Sequence, residues 1–329
     1  MSDAIREYRK SDVSLPDVME DDIRAQMPHI LEILLLDRTN SKANAARNIL
    51  WANDNYIEFG MDSYAAKAQM RPELITGNRG TLIMPRALKA AELQKQRTKI
   101  KAEVFTPTWI VKKQNDTVDA DYMADDLETY SRRKWLEITC GEAPYMATRY
   151  DMETGELIPL SGRVGFVDRK LTRINAEVAD KAEWQRLAEL AYKASYGFEW
   201  NGDSLLLARE NLLYTYRDYY VEKWGEPPSF AALEEIAKII SYNIFQMDGL
   251  TYTIPLSESK VRAKPSQLSL FDMKEEWEIV PGKRVRIMNW DTDTMEYFDK
   301  GLADHERKHN HQNNEDGLPS GVRLCYPRI

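Results

Sequence analysis

Cysteine is nearly absent from this chain of 329 residues; Cys140 and Cys325 are the only two. Two thiols cannot make a disulfide framework, so the expected setting is a reducing cytoplasm. Long apolar runs are missing too. The longest, Ile30 to Leu36 (ILEILLL), has the length of a core helix and falls short of a bilayer span, so no membrane partner is expected. The opening residues, MSDAIREYRKSD, are polar and of mixed charge, unlike a secretory signal. Basic charge is scarce: 45 Lys and Arg stand against 53 Asp and Glu, a formal net charge of −8. That balance argues against indiscriminate nucleic-acid binding, which needs a basic surface to release phosphate counterions.

Local basic faces survive that argument. Arg86 to Lys101 (RALKAAELQKQRTKIK) and Lys283 to Arg286 (KRVR) are two. The plain reading of each is a solvated surface. Asp116 to Glu128 is the one local hint of an acidic DNA mimic. A hydrophobic content of 43% supports a real core, and the length allows one large domain or two ordinary ones.

The patterning divides the chain. Residues 1–100 read as mainly helical, with an apolar stripe over Pro28 to Leu36 and a short buried-looking segment at Asn48 to Trp51. Thr106 is a good N-cap and Pro107 fits a first helical position, so a helix is expected from there towards Gln114. Trp135 to Thr139, Tyr196 to Trp200 and Asn243 to Asp248 read as strands. Helices are expected over Arg169 to Val178, Ala182 to Ser195 and Asp203 to Val221, and from a Ser229 cap to Ile240. Strand alternating with helix means βαβ units and a mostly parallel sheet, here over residues 101–300. Arg284 to Trp290 (RVRIMNW) alternates as a strand does, and residues 301–329 read as a polar tail.

In an open parallel sheet, ligands sit beyond the carboxyl ends of the strands. Three such ends carry suggestive residues. Cys140-Gly141-Glu142-Ala143 follows the first, and a glycine there lets a ligand approach the backbone closely. Glu199, at the second, could accept hydrogen bonds from two ribose hydroxyls. Asp248, at the third, could accept one from an adenine amino group. Each has a bland alternative as a cap or surface acid. His305, His309 and His311 have a spacing that could place two imidazoles on one helical face. Their surroundings offer no cysteine or apolar second shell, so no metal is expected. Cys140 has no histidine beside it to make it a nucleophile.

EVFTP, then LEITCGEAPYM, YGFEWNGDSLLLARENLL and NIFQMDGL, resemble in that order the amino-methylating DNA adenine methyltransferases. The likeness is closest to the chains called restriction endonuclease subunit M and covers most of residues 28–300. The resemblance implies a Rossmann-like class I methyltransferase fold, an α/β domain with a mostly parallel sheet and helices on both faces, behind the helical N-terminal region. It also implies S-adenosylmethionine as cofactor and DNA as partner. On it, Phe105, Thr106 and Pro107 close over the methionine end of the cofactor. Glu137, Cys140, Gly141 and Ala143 stand in the first cofactor loop, with Tyr145 after it. Glu199 is the ribose acid and Asp248 the acid near the adenine. The family loop usually has Asp where this chain has Glu137, and a second glycine where it has Ala143.

The family's catalytic tetrapeptide, Asn or Asp with two prolines and an aromatic, is missing. Asn289-Trp290 offers an amide acceptor and an aromatic plane for a flipped base, without the prolines. Two readings follow: an adenine-N6 methyltransferase or methylation subunit of a restriction system, or a catalytically inactive scaffold acting as a regulatory or interaction factor. In the second, chemistry comes from a restriction or catalytic partner subunit or not at all. Separately, Gln267, Leu268, Ser269, Leu270 and Phe271 (QLSLF) resemble the peptide by which bacterial replication and repair proteins dock on the polymerase sliding clamp. The alternative is a loop folded back on its own core.

Overall fold

The computed structural model describes residues 19–40, 45–85, 106–151, 154–262 and 277–298, and the backbone of 322–325. The architecture is mixed α/β. Its centre is a parallel sheet built on β1 (Lys134–Ile138), β2 (Ser195–Glu199) and β3 (Ile244–Gln246). All three lie within about two residues of where the apolar runs place them.

Each crossover between these strands is helical. After β1 come α7 (Phe166–Glu177) and α8 (Lys181–Lys193); after β2 come α9 (Gly202–Trp224) and α10 (Phe230–Asn243). Before β1 lie α1 (Glu20–Gln26), α2 (Pro28–Leu35), the single turns α3 (Met61–Tyr64) and α4 (Pro72–Ile75), then α5 (Thr108–Asp119) and α6 (Leu127–Arg132). Ser229 caps α10 as its sequence predicts, its hydroxyl accepting from the Ala232 amide at 3.3 Å. The cap of α5 is Pro107 rather than Thr106, and the helix runs five residues past Gln114. A proline's fixed φ suits an extended cap as well as a first helical turn.

Alternation along the strands separates two cores. Trp135 and Ile244 face the helices, while Leu136, Phe198 and Phe245 face the other way. The helical side is the larger. Trp135 stacks on Phe166 there with ring centroids 4.8 Å apart. Helix α9 is buried on nearly every side, from Gly202 to Tyr216 without a break. Burying each large apolar side chain contributes about 1.5–3 kcal/mol.

The opposite face is covered by a hairpin, β6 (Arg286–Asn289) with β7 (Thr294–Tyr297), whose Ile287 packs with Phe298 against Phe198 and Phe245. Helices on both faces are therefore not what the described residues show; they lie on one. A second hairpin, β4 (Ser259–Arg262) with β5 (Trp277–Val280), forms a separate two-stranded sheet.

The N-terminal helices are not a separate layer. Leu34, Ile49 and Trp51 belong to the same core as Trp135 and α9. Arg209 of α9 is fully buried and donates to the carbonyls of Leu34, Leu36, Ser241 and Ile244, tying the end of α2 to the start of β3. Desolvation lowers its pKa to about 9. Gly202 is where the N-terminal segment comes closest. A Cβ there would lie 2.0 Å from the Leu50 carbonyl oxygen.

Of residues 301–329, expected as a polar tail, the described ones are a strand. Val322–Cys325 form β8, parallel to β1 on the edge away from β2, giving the order β3-β2-β1-β8. A four-residue strand has too little periodicity to announce itself; its partner lies almost the whole domain away in sequence.

Candidate functional site

The carboxyl edge of the sheet is where the chain turns most sharply. Thr139, Gly141 and Ala143 all have positive φ, at 46°, 53° and 61°. Only Gly141 adopts this without cost, and an added Cβ there would meet nothing within 4 Å. Thr139 is β-branched, the least suited type for this region. Three left-handed residues in five fold the loop back under itself. The Ala143 amide donates to the Cys140 carbonyl at 2.7 Å, and the Ala147 amide to Ala143 at 2.9 Å.

Glu137 holds this loop from below. Its carboxyl oxygens accept from the backbone amides of Tyr145 (3.2 Å) and Met146 (3.1 Å). Complete burial pushes its pKa well above the ordinary 4.5, opposed by those two bonds. Glu199, at the end of β2, accepts from the Gly141 amide at 3.0 Å and from the Asn201 amide at 3.1 Å. Desolvation raises its pKa too. Cys140 is buried against Gly197, and burial with the two carboxylates pushes its thiol up. A thiol so held is a small packing residue rather than a nucleophile.

Helix α5 clamps the loop from the other side. Asn115 donates to the carbonyls of Tyr145 and Val164, both at 3.0 Å, and the Tyr145 hydroxyl bonds Gln114. A small void of about 20 Å³, room for about one water, lies between the two, lined among others by Thr106, Thr108, Glu142, Pro144, Arg149 and Asn211. The Thr108 hydroxyl is buried there without a hydrogen-bond partner. Arg149 is buried and paired with Asp218.

A wider cleft of about 420 Å³ lies where β2 and β3 end, with Trp200 and Asp248 in its wall. Asp248 is half-buried and forms an Asx turn, accepting from the Leu250 amide at 2.8 Å. Gln246, which sequence reasoning passed over, joins this edge to the N-terminal segment. It accepts from the Leu50 amide and donates to the carbonyls of Leu50 and Trp200, each at 2.8 Å. Asn53 and Tyr56 reach Asp203 from the same segment, at 3.2 and 2.8 Å. A glutamine at a strand end was the signal available for this contact.

Thr106, Glu137, Cys140, Gly141, Ala143, Tyr145, Glu199 and Asp248 thus gather along one edge of the sheet, with Pro107 capping α5 beside them. Phe105 lies outside the described residues, as do Gln267, Leu268, Ser269, Leu270 and Phe271. Among the described residues no group of His, Cys, Asp and Glu could hold a metal ion, and no helix is long and apolar enough to cross a membrane.

Asn289 and Trp290 do not join this gathering. The Trp290 indole donates at 2.8 Å to Asn243, whose amide in turn donates to the carbonyls of Tyr192, Lys193 and Ser195. Those residues precede β2 and β3 or begin them. Asp291 pairs with Lys134, the first residue of β1. The pair therefore sits at the amino edge, a full strand length from Glu199. The Asn289 amide is already engaged by Glu296 and by the Asp291 backbone. Asn289 and Trp290, expected as the catalytic pair, thus lie at the opposite edge of the sheet from Glu199 and the Cys140–Tyr145 loop. No protein-family model, curated protein or solved structure matches this chain.

Proposed function

We propose that this protein binds S-adenosylmethionine along the carboxyl edge of its parallel sheet, as a methyltransferase-like protein of the Rossmann-like class I type. The observation that carries the reading is the convergence there of Thr106, the Cys140–Tyr145 loop and Glu199. The donor set suits the ligand. The unpartnered Thr108 hydroxyl lines the small void between α5 and the loop, on the side where the methionine end would lie. Each carboxylate oxygen can accept two hydrogen bonds; the Asn201 backbone and side-chain amides fill Oε1 of Glu199, and Oε2 keeps one site beside the Gly141 amide for a ribose hydroxyl. Trp200 offers a flat face and Asp248 an acceptor where the adenine would lie. Bound, the cofactor supplies an electrophilic methyl group; the chain's own residues hold and orient it.

Calorimetric titration with S-adenosylmethionine tests this. Binding is expected, weakened at least about tenfold by Glu199→Ala, since the lost hydrogen bonds to a charged acceptor contribute about 1.5–3 kcal/mol. Trp290→Ala should leave the affinity unchanged. A folded wild-type protein that gives no binding heat would overturn the reading.

Within it, DNA adenine-N6 methylation, alone or as the methylation subunit of a restriction system, is the active form. The position of Asn289 and Trp290 at the amino edge favours the inactive-scaffold form, in which a catalytic partner subunit or a sliding clamp is the functional contact. Labelled cofactor offered with DNA separates them. Transferred label means an enzyme. Cofactor binding without transfer, with clamp binding lost in Phe271→Ala, means a scaffold.

A further inference from the structure

The β4–β5 hairpin is an anomaly. All eight of its strand residues are exposed, on both faces. A lone two-stranded sheet is marginal in water, and this one carries large apolar groups outward: Trp277 is 57% exposed and Ile279 56%. The register decides what lies beside them. Lys260 pairs with Ile279 and Arg262 with Trp277, so these four share a face; Val261 pairs with Glu278 on the other. One side of the arm is thus two cations interleaved with an indole and an isoleucine.

A second feature lies at the base of the same arm. A groove of about 240 Å³ runs between the N-terminal segment and the Ile254–Ser257 turn. Arg47, Lys67 and Lys283 line it with the amides of Asn48 and Gln69, and no carboxylate does. Lys67 and Lys283 make no ion pair among the described residues. Glu258, which precedes β4, lines the neighbouring cleft with Asp248. In a chain of net charge −8, three cations and no acid around one groove is a local reversal of sign.

We infer that the arm and the groove at its base form a nucleic-acid-binding surface. The groove takes phosphates through Arg47, Lys67 and Lys283, and the arm face offers Trp277 for stacking between Lys260 and Arg262. Charge complementarity selects a polyanion, and the exposed indole among cations selects one with bases. A two-stranded ribbon is also the right width for a DNA major groove. The inference deepens the functional reading above by giving its nucleic-acid partner a seat, and it stands on residues that reading does not use, although Lys67 also borders the cleft of Trp200 and Asp248.

Fluorescence anisotropy with labelled single-stranded and duplex oligonucleotides tests it in the full chain. Three phosphate contacts on duplex give a slope of about −2.7 in log affinity against log salt, so a fourfold rise in salt should weaken binding roughly fortyfold. The double variant Arg47→Ala, Lys283→Ala should reduce that slope to about −0.9. Trp277→Ala, at an exposed site, should weaken single-strand binding about tenfold with the slope kept. Both variants should bind S-adenosylmethionine as the wild type does, so cofactor binding without oligonucleotide binding sinks this inference alone. Affinity indifferent to both variants would also overturn it, as would heparin competing as well as unlabelled oligonucleotide. So would a Trp277→Ala variant that changes only self-association, which would make the arm a protein interface.

Discussion

The two edges of the parallel sheet are built on opposite principles. At the amino edge, Asn243 spends its whole side chain on three carbonyls and the Trp290 indole, although the buried Trp135 indole N–H has no partner. At the carboxyl edge, Glu137 and Glu199 are buried with raised pKa values, and three residues in five take left-handed backbone. Satisfied polar groups fix a structure. Desolvated acids and strained turns cost stability, and they persist where the fold holds them for another purpose.

The largest expected effect breaks the amino edge. Asn243→Ala leaves three carbonyls and an indole N–H without their partner and should cost about 3 kcal/mol in urea unfolding, with cofactor affinity of the folded protein unchanged. A loss under about 1 kcal/mol would mean that water replaces the amide and that the edge is less closed than described. A smaller effect sharpens the carboxyl edge. An acid whose pKa is raised by folding contributes stability that is whole below its unfolded value, near 4.5, and is lost as pH rises through the folded value. Unfolding free energy should therefore fall with rising pH above that point. Glu199→Gln should flatten part of the decline and Trp290→Phe none of it; equal slopes in all three proteins would remove the contrast between the edges. The smallest effect concerns backbone strain. Thr139 is exposed at φ 46°, so Thr139→Gly should stabilise by about 1 kcal/mol or less, read as a small rise in Tm. A fall would show that the hydroxyl or methyl makes a contact that outweighs the strain.

Much of the fold was legible because its signals are local. Three apolar runs ending in acids gave β1 to β3 nearly in place, and α9 was legible from Asp203 to Val221 as a long run free of Pro and Gly, although burial on nearly every side leaves it no apolar stripe. The Ser229 cap was readable from one side chain. The site residues at the ends of those strands came with them, since a parallel strand's carboxyl end is fixed once the strand is. The start of α5 was misjudged by a residue because Thr106 and Pro107 both suit the cap. Gln246 was missed because a glutamine looks the same whether it faces water or bonds Leu50.

The sequence by itself determined the order of elements and the gathering of Thr106, the Cys140–Tyr145 loop, Glu199 and Asp248 at one edge. Helical and strand periods, turns and caps act over a few residues, so a single chain states them. Only the tertiary structure decided where Asn289 and Trp290 fall, which strand flanks β1 on its far side, and that the β4–β5 arm stands in solvent. Those depend on contacts between segments far apart in the chain. For such contacts, the local pattern of NW, VRLC or SKVR is compatible with several destinations, and packing selects one.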